Sequence, residues 1–391
     1  MNYFDVDRAL AAIEAVVDNA PRPIALHEPH FAGNEWLYVK ETLDTGWVSS
    51  SGKYVDEFER RLAACCGVPY AVATMNGTAA LHACLLLAGV KPGDEVILPT
   101  LTFIATANAV SYCGAVPHFC DSDPKSLGLD PDKLDRSLAT IAEVTNNGCR
   151  NKETGRRITA VVPMHTFGHP VDMDRMTEVA TRWRIPVIED VAEALGSQYK
   201  GRHVGYHGML SALSFNGNKV VTTGGGGAIL IRDEKLAKAA KHLTTTAKLP
   251  HLWAFLHDQV GYNYRLPNIN AALGCAQLEQ LDVVIAAKRA LASRYAEAFR
   301  EVPGASIFVD ADYARSNYWL VAMLLDEPDI AVRDQFLAAC HARGFRCRPV
   351  WTSMHRLPMY ANCPRMDVTE AEELEATIVN LPSSAVLGMK R

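Results

Sequence analysis

Residues 173–190 read MDRMTEVATRWRIPVIED, a helical stretch at Met173–Trp183 followed by a short apolar strand that ends in two acidic residues. The same unit recurs along the chain, where helices such as Thr78–Leu87 and Ile104–Tyr112 separate many of the apolar runs. The other runs are at 71–74, 96–98, 160–163, 211–215 and 228–231. This alternation predicts an α/β domain around a mainly parallel sheet. Because ligands of such sheets bind beyond the carboxyl ends of the strands, functional residues are expected just after each run.

The segments on either side of this alternation predict a domain organisation. Residues 1–20 contain one amphipathic helix, which is interpreted as an appendage to the domain that follows. A large domain is predicted at 21–260, and linking helices with a smaller C-terminal α/β domain at 261–391. A last helix is predicted at Glu370–Asn380, and the polar stretch 146–157 is predicted to be an exposed loop.

Composition excludes several classes of function. With 391 residues and 49% hydrophobic side chains, the chain can bury a large core. Lys and Arg number 39 against 44 Asp and Glu, a net charge of −5, whereas a general nucleic-acid binder is expected to be basic. No apolar run reaches the length of a membrane span, and the charged start of the chain is unlike a signal peptide. A cytoplasmic protein that binds neither nucleic acid nor membrane is expected.

Cysteine and histidine spacing predicts no metal site. The ten cysteines include no C-x-x-C pair, which favours reduced, buried thiols. His27 and His30 have the spacing of two ligands on one helical face, but Pro29 between them argues against a helix and no Cys or Asp cluster lies near.

Three short stretches at predicted strand ends could carry chemistry. Asn76–Leu81 places a glycine before a helix start, which suits a phosphate but is also common in ordinary strand–helix turns. Glu189 and Asp190 end an apolar strand, where a carboxylate could pair with a cationic ligand atom or cap a helix. Lys219 follows Ser214-Phe-Asn-Gly-Asn. Because the P-loop pattern fails there, the remaining possibilities are a Schiff-base lysine and a solvated surface lysine.

The three stretches together are more specific than any one of them. Pyridoxal phosphate needs a phosphate cradle, an anion for its pyridine nitrogen and a lysine amine for its aldehyde. The sequence supplies these in that order, each at a predicted strand end, with Lys219 29 positions after Asp190.

At these positions the chain resembles the DegT/StrS-type nucleotide-sugar aminotransferases of the pyridoxal-phosphate-dependent fold type I. The resemblance covers about residues 24–390. It is carried by NGTAAL at 76–81, PTLTFIATAN at 99–108, EDVAEALGS at 189–197, SFNGNKVVTTGGGG at 214–227 and GYNYRLPNINAA at 261–272. Two further segments resemble the branch of the family that makes bacillosamine and legionaminic acid precursors: HEPHFAGNEW at 27–36 and DTGWVSSSGKYVDEFE at 44–59. The implied architecture is a large domain with a mainly parallel sheet and a smaller C-terminal α/β domain.

The resemblance implies roles for the residues around the cofactor. Lys219 would carry pyridoxal 5′-phosphate as a Schiff base, and Asp190 would pair with the protonated pyridine nitrogen. Thr78 and Ala79 would bind the phosphate through their backbone N–H groups, with the Ser214 hydroxyl.

Further positions complete the implied site. Phe103 would stack on the ring, and Glu193 would lie near the ring oxygen, where relatives often carry Gln. Asn263 would reach the phosphate of the neighbouring subunit, so a homodimer with shared active sites is expected. Four residues could line the sugar or nucleotide pocket or be ordinary structural residues: Arg265, Trp351, His355 and Tyr360.

The implied reaction is a transamination. The amino group of L-glutamate would pass to the cofactor and then to the C4 keto group of a UDP-linked 4-keto-6-deoxy-N-acetylhexosamine. The alternative is the same chemistry on a GDP- or dTDP-linked keto sugar, or at C3. A non-catalytic binding protein on the same fold would leave Lys219 and Asp190 without a purpose. A nicotinamide dehydrogenase is excluded, because no G-x-G-x-x-G follows the first strand.

Overall fold

A computed structural model describes residues 4–17 and 20–389 of the chain. The helices are α1 (Val6–Val17), α2 (Glu35–Asp44), α3 (Lys53–Cys66), α4 (Gly77–Leu87), α5 (Ile104–Tyr112), α6 (Pro131–Ile141), α7 (Met173–Trp183), α8 (Glu234–Thr244), α9 (Asn268–Leu278), α10 (Leu281–Phe299), α11 (Ile330–Ala342) and α12 (Thr369–Thr377). The strands are β1 (Tyr70–Thr74), β2 (Glu95–Pro99), β3 (Val116–Cys120), β4 (Ala142–Thr145), β5 (Gly148–Asn151), β6 (Arg157–Val161), β7 (Ile188–Asp190), β8 (Gln198–Tyr199), β9 (Arg202–His203), β10 (Leu210–Ser214), β11 (Gly227–Ile231), β12 (Ala305–Ile307), β13 (Ala314–Arg315), β14 (Val321–Leu325), β15 (Arg348–Pro349) and β16 (Ile378–Leu381).

The large domain is built on a mainly parallel sheet, as predicted. One half has the strand order β1-β11-β10-β7 and the other contains β3-β2-β6. Parallel bridges from Val161 to Val187 and from Met164 to Asp190 join β6 to β7, so the two halves are continuous. In this sheet β11 runs antiparallel to both of its neighbours, and β5 runs antiparallel to β6. The carboxyl ends of β7 and β10 therefore lie side by side, which brings the segments after them to one edge.

The polar stretch 146–157 is largely exposed, as predicted, but it is not a loop throughout, because Gly148–Asn151 forms a strand. Strands β4 and β5 form a hairpin whose second strand pairs with β6. Asn151, at the end of β5, is buried and donates a hydrogen bond of 2.9 Å to Glu95 Oε2. The buried Glu95 carboxylate needs such donors, and they order a segment whose composition is typical of loops.

The small domain contains an antiparallel sheet of order β12-β14-β16-β15. The predicted helix at Glu370–Asn380 ends at Thr377, and the chain continues as the central strand β16. Ile378 and Val379 are β-branched and buried between β14 and β15, where they favour a strand over a helix.

Helix α1 packs on the small domain and not on the domain that follows it, so its interpretation as an appendage of the large domain is wrong. Its buried face shares one core with α10, α11 and the small sheet. Phe4 meets Phe336 edge to face with ring centroids 5.2 Å apart. The apolar stripe was predicted from the sequence, but which domain it covers depends on tertiary packing.

Two groups of large apolar side chains are exposed on the surface. One surrounds α2 and includes Trp36, 78% exposed, and Trp47, 60% exposed. The other lies in the segment 249–260 and includes Leu252, Trp253 and Phe255. Within residues 4–17 and 20–389, every helix is too short or too polar to cross a membrane. Exposed apolar groups of this size mark a surface for contact with another molecule.

Candidate active site

A cavity of about 610 Å³ opens where the carboxyl ends of the large sheet face the small domain. Its walls include seven of the residues singled out in the sequence: Thr78, Phe103, Asp190, Glu193, Ser214, Lys219 and Trp351. These residues come from five separate stretches of the chain. The fold thus brings the three candidate stretches together at the sheet edge where ligands of α/β domains bind.

Asp190 lies at the end of β7 and is 2% exposed. One carboxylate oxygen accepts a hydrogen bond of 2.7 Å from Thr106 Oγ1, and the other accepts one of 3.1 Å from the Ala192 N–H. Burial raises the pKa of this carboxyl, and no cation of the described residues forms an ion pair with it. A buried carboxylate without a cation is costly, so this site favours a ligand that brings a positively charged N–H.

Lys219 follows β10 and points into the same cavity. Its Nζ lies 3.2 Å from Glu193 Oε1 and 3.8 Å from the centre of the Trp319 ring. Trp319 is held in turn by a hydrogen bond of 2.7 Å from its Nε1 to the Asn218 carbonyl. With its side chain 13% exposed, Lys219 is not a solvated surface lysine. The surroundings are those of a desolvated amine, which can act as a nucleophile or a base.

Glu193 shares this site with Lys219. Its other oxygen, Oε2, accepts a hydrogen bond of 2.9 Å from the Phe167 N–H, and Phe167 has a left-handed φ of 54°. Burial raises the pKa of Glu193 to about 7, against the opposing effect of the Lys219 ammonium. Glu193 can therefore take up or release a proton near neutral pH.

The start of α4 forms a possible phosphate cradle beside Ser214. Asn76 caps the helix and accepts a hydrogen bond of 2.8 Å from the Ala79 N–H. The Ala79 N–H is therefore occupied, which differs from the prediction that it binds phosphate. Ala79 is the third residue of the helix, and its N–H is a donor to which an N-cap asparagine commonly bonds. The N–H groups of Gly77 and Thr78 remain for an anion.

Close packing at Gly77 sets the shape of this cradle. A Cβ added at Gly77 would lie 2.8 Å from the Ser214 Cβ, closer than side chains tolerate. The glycine thus lets the first turn of α4 approach the end of β10. The N-G-T motif before a helix was the signal that predicted this turn.

His355 and Tyr360 do not line the cavity, which favours the structural role over the pocket role that the sequence had left open for them. The His355 ring joins Thr100 and Glu372, with Nδ1 2.8 Å from Thr100 Oγ1 and Nε2 3.1 Å from Glu372 Oε1. Tyr360 is buried and donates a hydrogen bond of 2.6 Å to Asn108 Oδ1. Both side chains hold the segment after β15 against the large domain.

Asn263 and Arg265 also lie outside this cavity. Asn263 is exposed and forms a backbone bridge with Thr245. Arg265 lines a separate hollow of about 270 Å³ together with Ser50 and Lys241. Neither residue therefore reaches the cavity of its own chain, which leaves the expectation that Asn263 serves the neighbouring subunit untouched.

Aromatic residues form much of the remaining wall. The Phe103 and Trp351 rings lie 6.3 Å apart, and Trp351 lies 5.1 Å from Phe167. Three further residues of the wall were not predicted from the sequence: Trp319, and Arg348 and Asn380, which reach the cavity from the small domain. No motif marks these positions, because their place depends on how the small sheet packs against the large one.

Comparison with known proteins assigns the chain to a family. The model of the DegT/DnrJ/EryC1/StrS aminotransferase family matches residues 30–390. The chain is 38% identical to the GDP-perosamine synthase of Caulobacter vibrioides over 372 residues, covering 95% of each protein. It is 37% identical to the GDP-perosamine synthase of Escherichia coli O157:H7, covering 92% of this chain and 93% of that protein. Among solved structures, the aminotransferase TlmJ from Streptoalloteichus hindustanus has a TM-score of 0.83 at 28% identity, covering 92% of this chain and 93% of that one.

Enzymes of this family use pyridoxal 5′-phosphate. The cavity fits that group, because it combines free N–H groups at a helix start, a buried carboxylate without a cation and a desolvated lysine. The chain therefore belongs to the DegT/DnrJ/EryC1/StrS family and is a pyridoxal-phosphate-dependent sugar aminotransferase.

Proposed function

We propose that this enzyme transfers the amino group of L-glutamate to the C4 keto group of a GDP-linked 6-deoxy sugar, with a GDP-linked amino sugar as product. The observation that carries the transfer itself is the pairing of Lys219 with Glu193 in the same cavity as the buried Asp190. The choice of nucleotide is supported by the relatives named GDP-perosamine synthases.

The relatives favour GDP over the UDP-linked N-acetylhexosamine that the sequence motifs suggested. Neither the cradle at α4 nor the Lys219 site reads a nucleotide, so these groups are compatible with UDP, GDP or dTDP. The resemblance to the bacillosamine and legionaminic acid branch rested on segments 27–36 and 44–59, most of which lie outside the cavity. Relatives that align over almost the whole chain are the stronger guide.

The proposed roles of the cavity residues follow from their surroundings. The Gly77 and Thr78 N–H groups and the Ser214 hydroxyl would bind the cofactor phosphate, and Phe103 would cover the ring. Asp190, held by Thr106, would keep a proton on the pyridine nitrogen. Pyridoxal phosphate, when bound, supplies a carbonyl that takes up and passes on the amino group and a ring that withdraws electrons.

Lys219 would carry the proton during each half of the reaction. Its Nζ can take a proton from the carbon that bears the amine of the donor and return one to the acceptor carbon. Glu193, whose pKa burial raises to about 7, would hold or release a proton beside Lys219 near neutral pH. Trp319 confines the amine to one position over its ring.

A homodimer would complete the site. The exposed apolar groups around α2 and in the segment 249–260 are large enough to need a partner surface, and Asn263 follows directly after the second group. In this arrangement Asn263 of one subunit would reach the phosphate held by the other. We also propose that the enzyme is located in the cytoplasm, as expected from the sequence.

Product analysis tests the choice of sugar. Purified enzyme with L-glutamate would be given the GDP-, UDP- and dTDP-linked 4-keto-6-deoxy sugars separately, and the products identified by mass spectrometry and NMR. We expect amination at C4 of the GDP-linked sugar at a kcat/KM at least about tenfold above the others. Preferential turnover of the UDP-linked N-acetylhexosamine, or amination at C3, would contradict the proposal.

A further inference from the structure

Asn380 is an unusual residue for its position. It lies in the central strand β16 of the small sheet, between Val379 and Leu381, and it is 2% exposed. Its Oδ1 is buried and has no hydrogen-bond partner among the described residues. A buried amide oxygen without a partner costs stability, and apolar side chains fill the rest of this strand. Such a group in a strand centre indicates a ligand.

The direction of the side chain agrees with this interpretation. Asn380 lines the same cavity as Lys219 and Asp190. Its strand neighbours Val379 and Leu381 point to the opposite side, into the core of the small domain. The amide thus faces the reacting groups from the wall opposite the large sheet.

Arg348 stands next to Asn380 on the adjacent strand. The two residues are paired across the β15–β16 ladder, and both line the cavity. Among the described residues, Lys219 and Arg348 are the only cationic side chains in the cavity wall. No carboxylate of residues 4–17 or 20–389 lies within ion-pair distance of its guanidinium. The cavity therefore presents a free guanidinium beside a free amide.

We propose that Arg348 and Asn380 bind the α-carboxylate of the amino donor. The guanidinium can donate two parallel hydrogen bonds to a carboxylate, and the Asn380 Nδ2 can add another. A remaining guanidinium N–H can then satisfy the Asn380 Oδ1. Arg348 and Asn380 are thus specificity-determining residues that distinguish an α-amino acid from a simple amine.

The chemistry of the two substrates favours the donor as the source of this anion. The α-carboxylate of an amino acid is attached to the carbon that bears the amine, so it must enter the cavity that holds Lys219. The diphosphate of a nucleotide sugar is separated from a reacting C4 by the width of the sugar ring. Of these two anions, the α-carboxylate lies nearer to the reacting carbon, and the deeply buried amide of Asn380 is placed to bind such an anion.

This inference rests on the proposed use of an α-amino acid donor and not on the identity of the sugar. The donor half-reaction can be measured alone, because L-glutamate converts the cofactor to its amine form without an acceptor. The visible absorbance of the holoenzyme reports the rate and its dependence on glutamate concentration. A wrong choice of GDP sugar would leave this measurement intact, so the two proposals can fail separately.

Three variants test the proposal in this half-reaction. Arg348→Gln and Asn380→Leu should each weaken the apparent affinity for L-glutamate by about ten- to a hundredfold, the usual effect of losing a hydrogen bond to a charged group. Arg346→Gln is the matched control, since Arg346 is exposed two residues earlier and does not line the cavity. It should behave as the wild type.

Two further readouts separate binding from a structural role. Asn380→Leu keeps the branched shape of the side chain and removes an unsatisfied buried amide, so its melting temperature should equal or exceed that of the wild type. L-Isoglutamine, in which the α-carboxylate is an amide, should be a much poorer donor than L-glutamate for the wild type. Arg348→Gln should lose most of that discrimination.

Other outcomes would overturn the assignment. If both cavity variants react with L-glutamate as the wild type does, the donor carboxylate binds elsewhere. If the acceptor half-reaction weakens while the donor half-reaction is unchanged, the anion is the diphosphate of the nucleotide. If Arg348→Gln retains full discrimination against L-isoglutamine, the guanidinium does not read the α-carboxylate.

Discussion

Asp190 and Glu193 are both buried acids in one short segment, but they have different hydrogen-bond and ion-pair partners and are therefore suited to different functions. Asp190 accepts hydrogen bonds from Thr106 and from the Ala192 N–H, and no cation of the described residues forms an ion pair with it. Glu193 has a lysine 3.2 Å away. The sequence predicted both positions, because an apolar strand that ends in acids is a visible pattern. It could not predict the role of Trp319 or decide between the two roles left open for His355 and Tyr360, since these depend on contacts between distant segments.

Asp190→Asn should impair the reaction far more than the fold. The amide can still hydrogen-bond but cannot hold a proton on the pyridine nitrogen, so the donor half-reaction should slow by at least about a hundredfold. Because the substitution removes a buried carboxylate without a cation, the melting temperature of the apoenzyme should not fall. Stopped-flow absorbance and calorimetry measure the two effects. A near-normal rate would place the pyridine partner elsewhere.

Glu193→Gln should change how the stability of the apoenzyme depends on pH. The pKa of Glu193 is about 7 in the folded chain and near 4.5 when unfolded, so the folded state binds more protons between these values. Stability therefore falls as pH rises through that window, by up to about 3 kcal/mol from this group. The variant should lack this part of the slope in urea unfolding from pH 4.5 to 8. The exposed Glu178→Gln should keep it, and an unchanged slope in Glu193→Gln would contradict the assigned pKa.

Among the secondary-structure elements, the regular helix–strand units could be predicted from the sequence, whereas the β4–β5 hairpin and the strand β16 could not. The limits of α5 and α7 agree with the prediction, because their apolar spacing and flanking residues are local signals. The β4–β5 hairpin and β16 were missed. The hairpin is ordered by a distant buried carboxylate, and β16 is a strand because two neighbouring strands cover it.

Gly77→Ala tests the contact between α4 and β10. The added Cβ would meet Ser214 at 2.8 Å and push the first turn of the helix away from the strand end. We expect the Kd for pyridoxal phosphate to rise about tenfold or more, measured by titrating the apoenzyme. Gly217→Ala is the control, because its Cβ would meet only ordinary contact at 4.0 Å. Equal affinities for the two variants would show that the cradle does not depend on this close approach.

At the scale of the whole molecule, the cavity depends on two domains, and we propose that it also depends on two subunits. The large sheet supplies Asp190, Ser214 and Lys219, and the small sheet supplies Arg348 and Asn380. Family resemblance predicted the first group through motifs. The domain to which α1 belongs could not be predicted, because an amphipathic helix does not reveal which surface it covers.

Mixed dimers test whether subunits share the site. If Asn263 acts across the interface, a dimer of Lys219→Ala and Asn263→Ala chains has one site with both lesions and one with neither. Its activity should then exceed that of either parent after subunit exchange. If Asn263 serves its own subunit, both sites carry one lesion and no gain appears. An active monomer in sedimentation would also contradict the shared site.

The proposal that Lys219 carries out the amino transfer is tested by measuring the release of 2-oxoglutarate from L-glutamate in the absence of any sugar. We expect the wild-type holoenzyme to release about one equivalent per active site, and Lys219→Ala to release none above background. The exposed Lys200→Ala should match the wild type. Release by Lys219→Ala at the wild-type rate would show that the amino group moves without this lysine and would contradict the role proposed for Lys219.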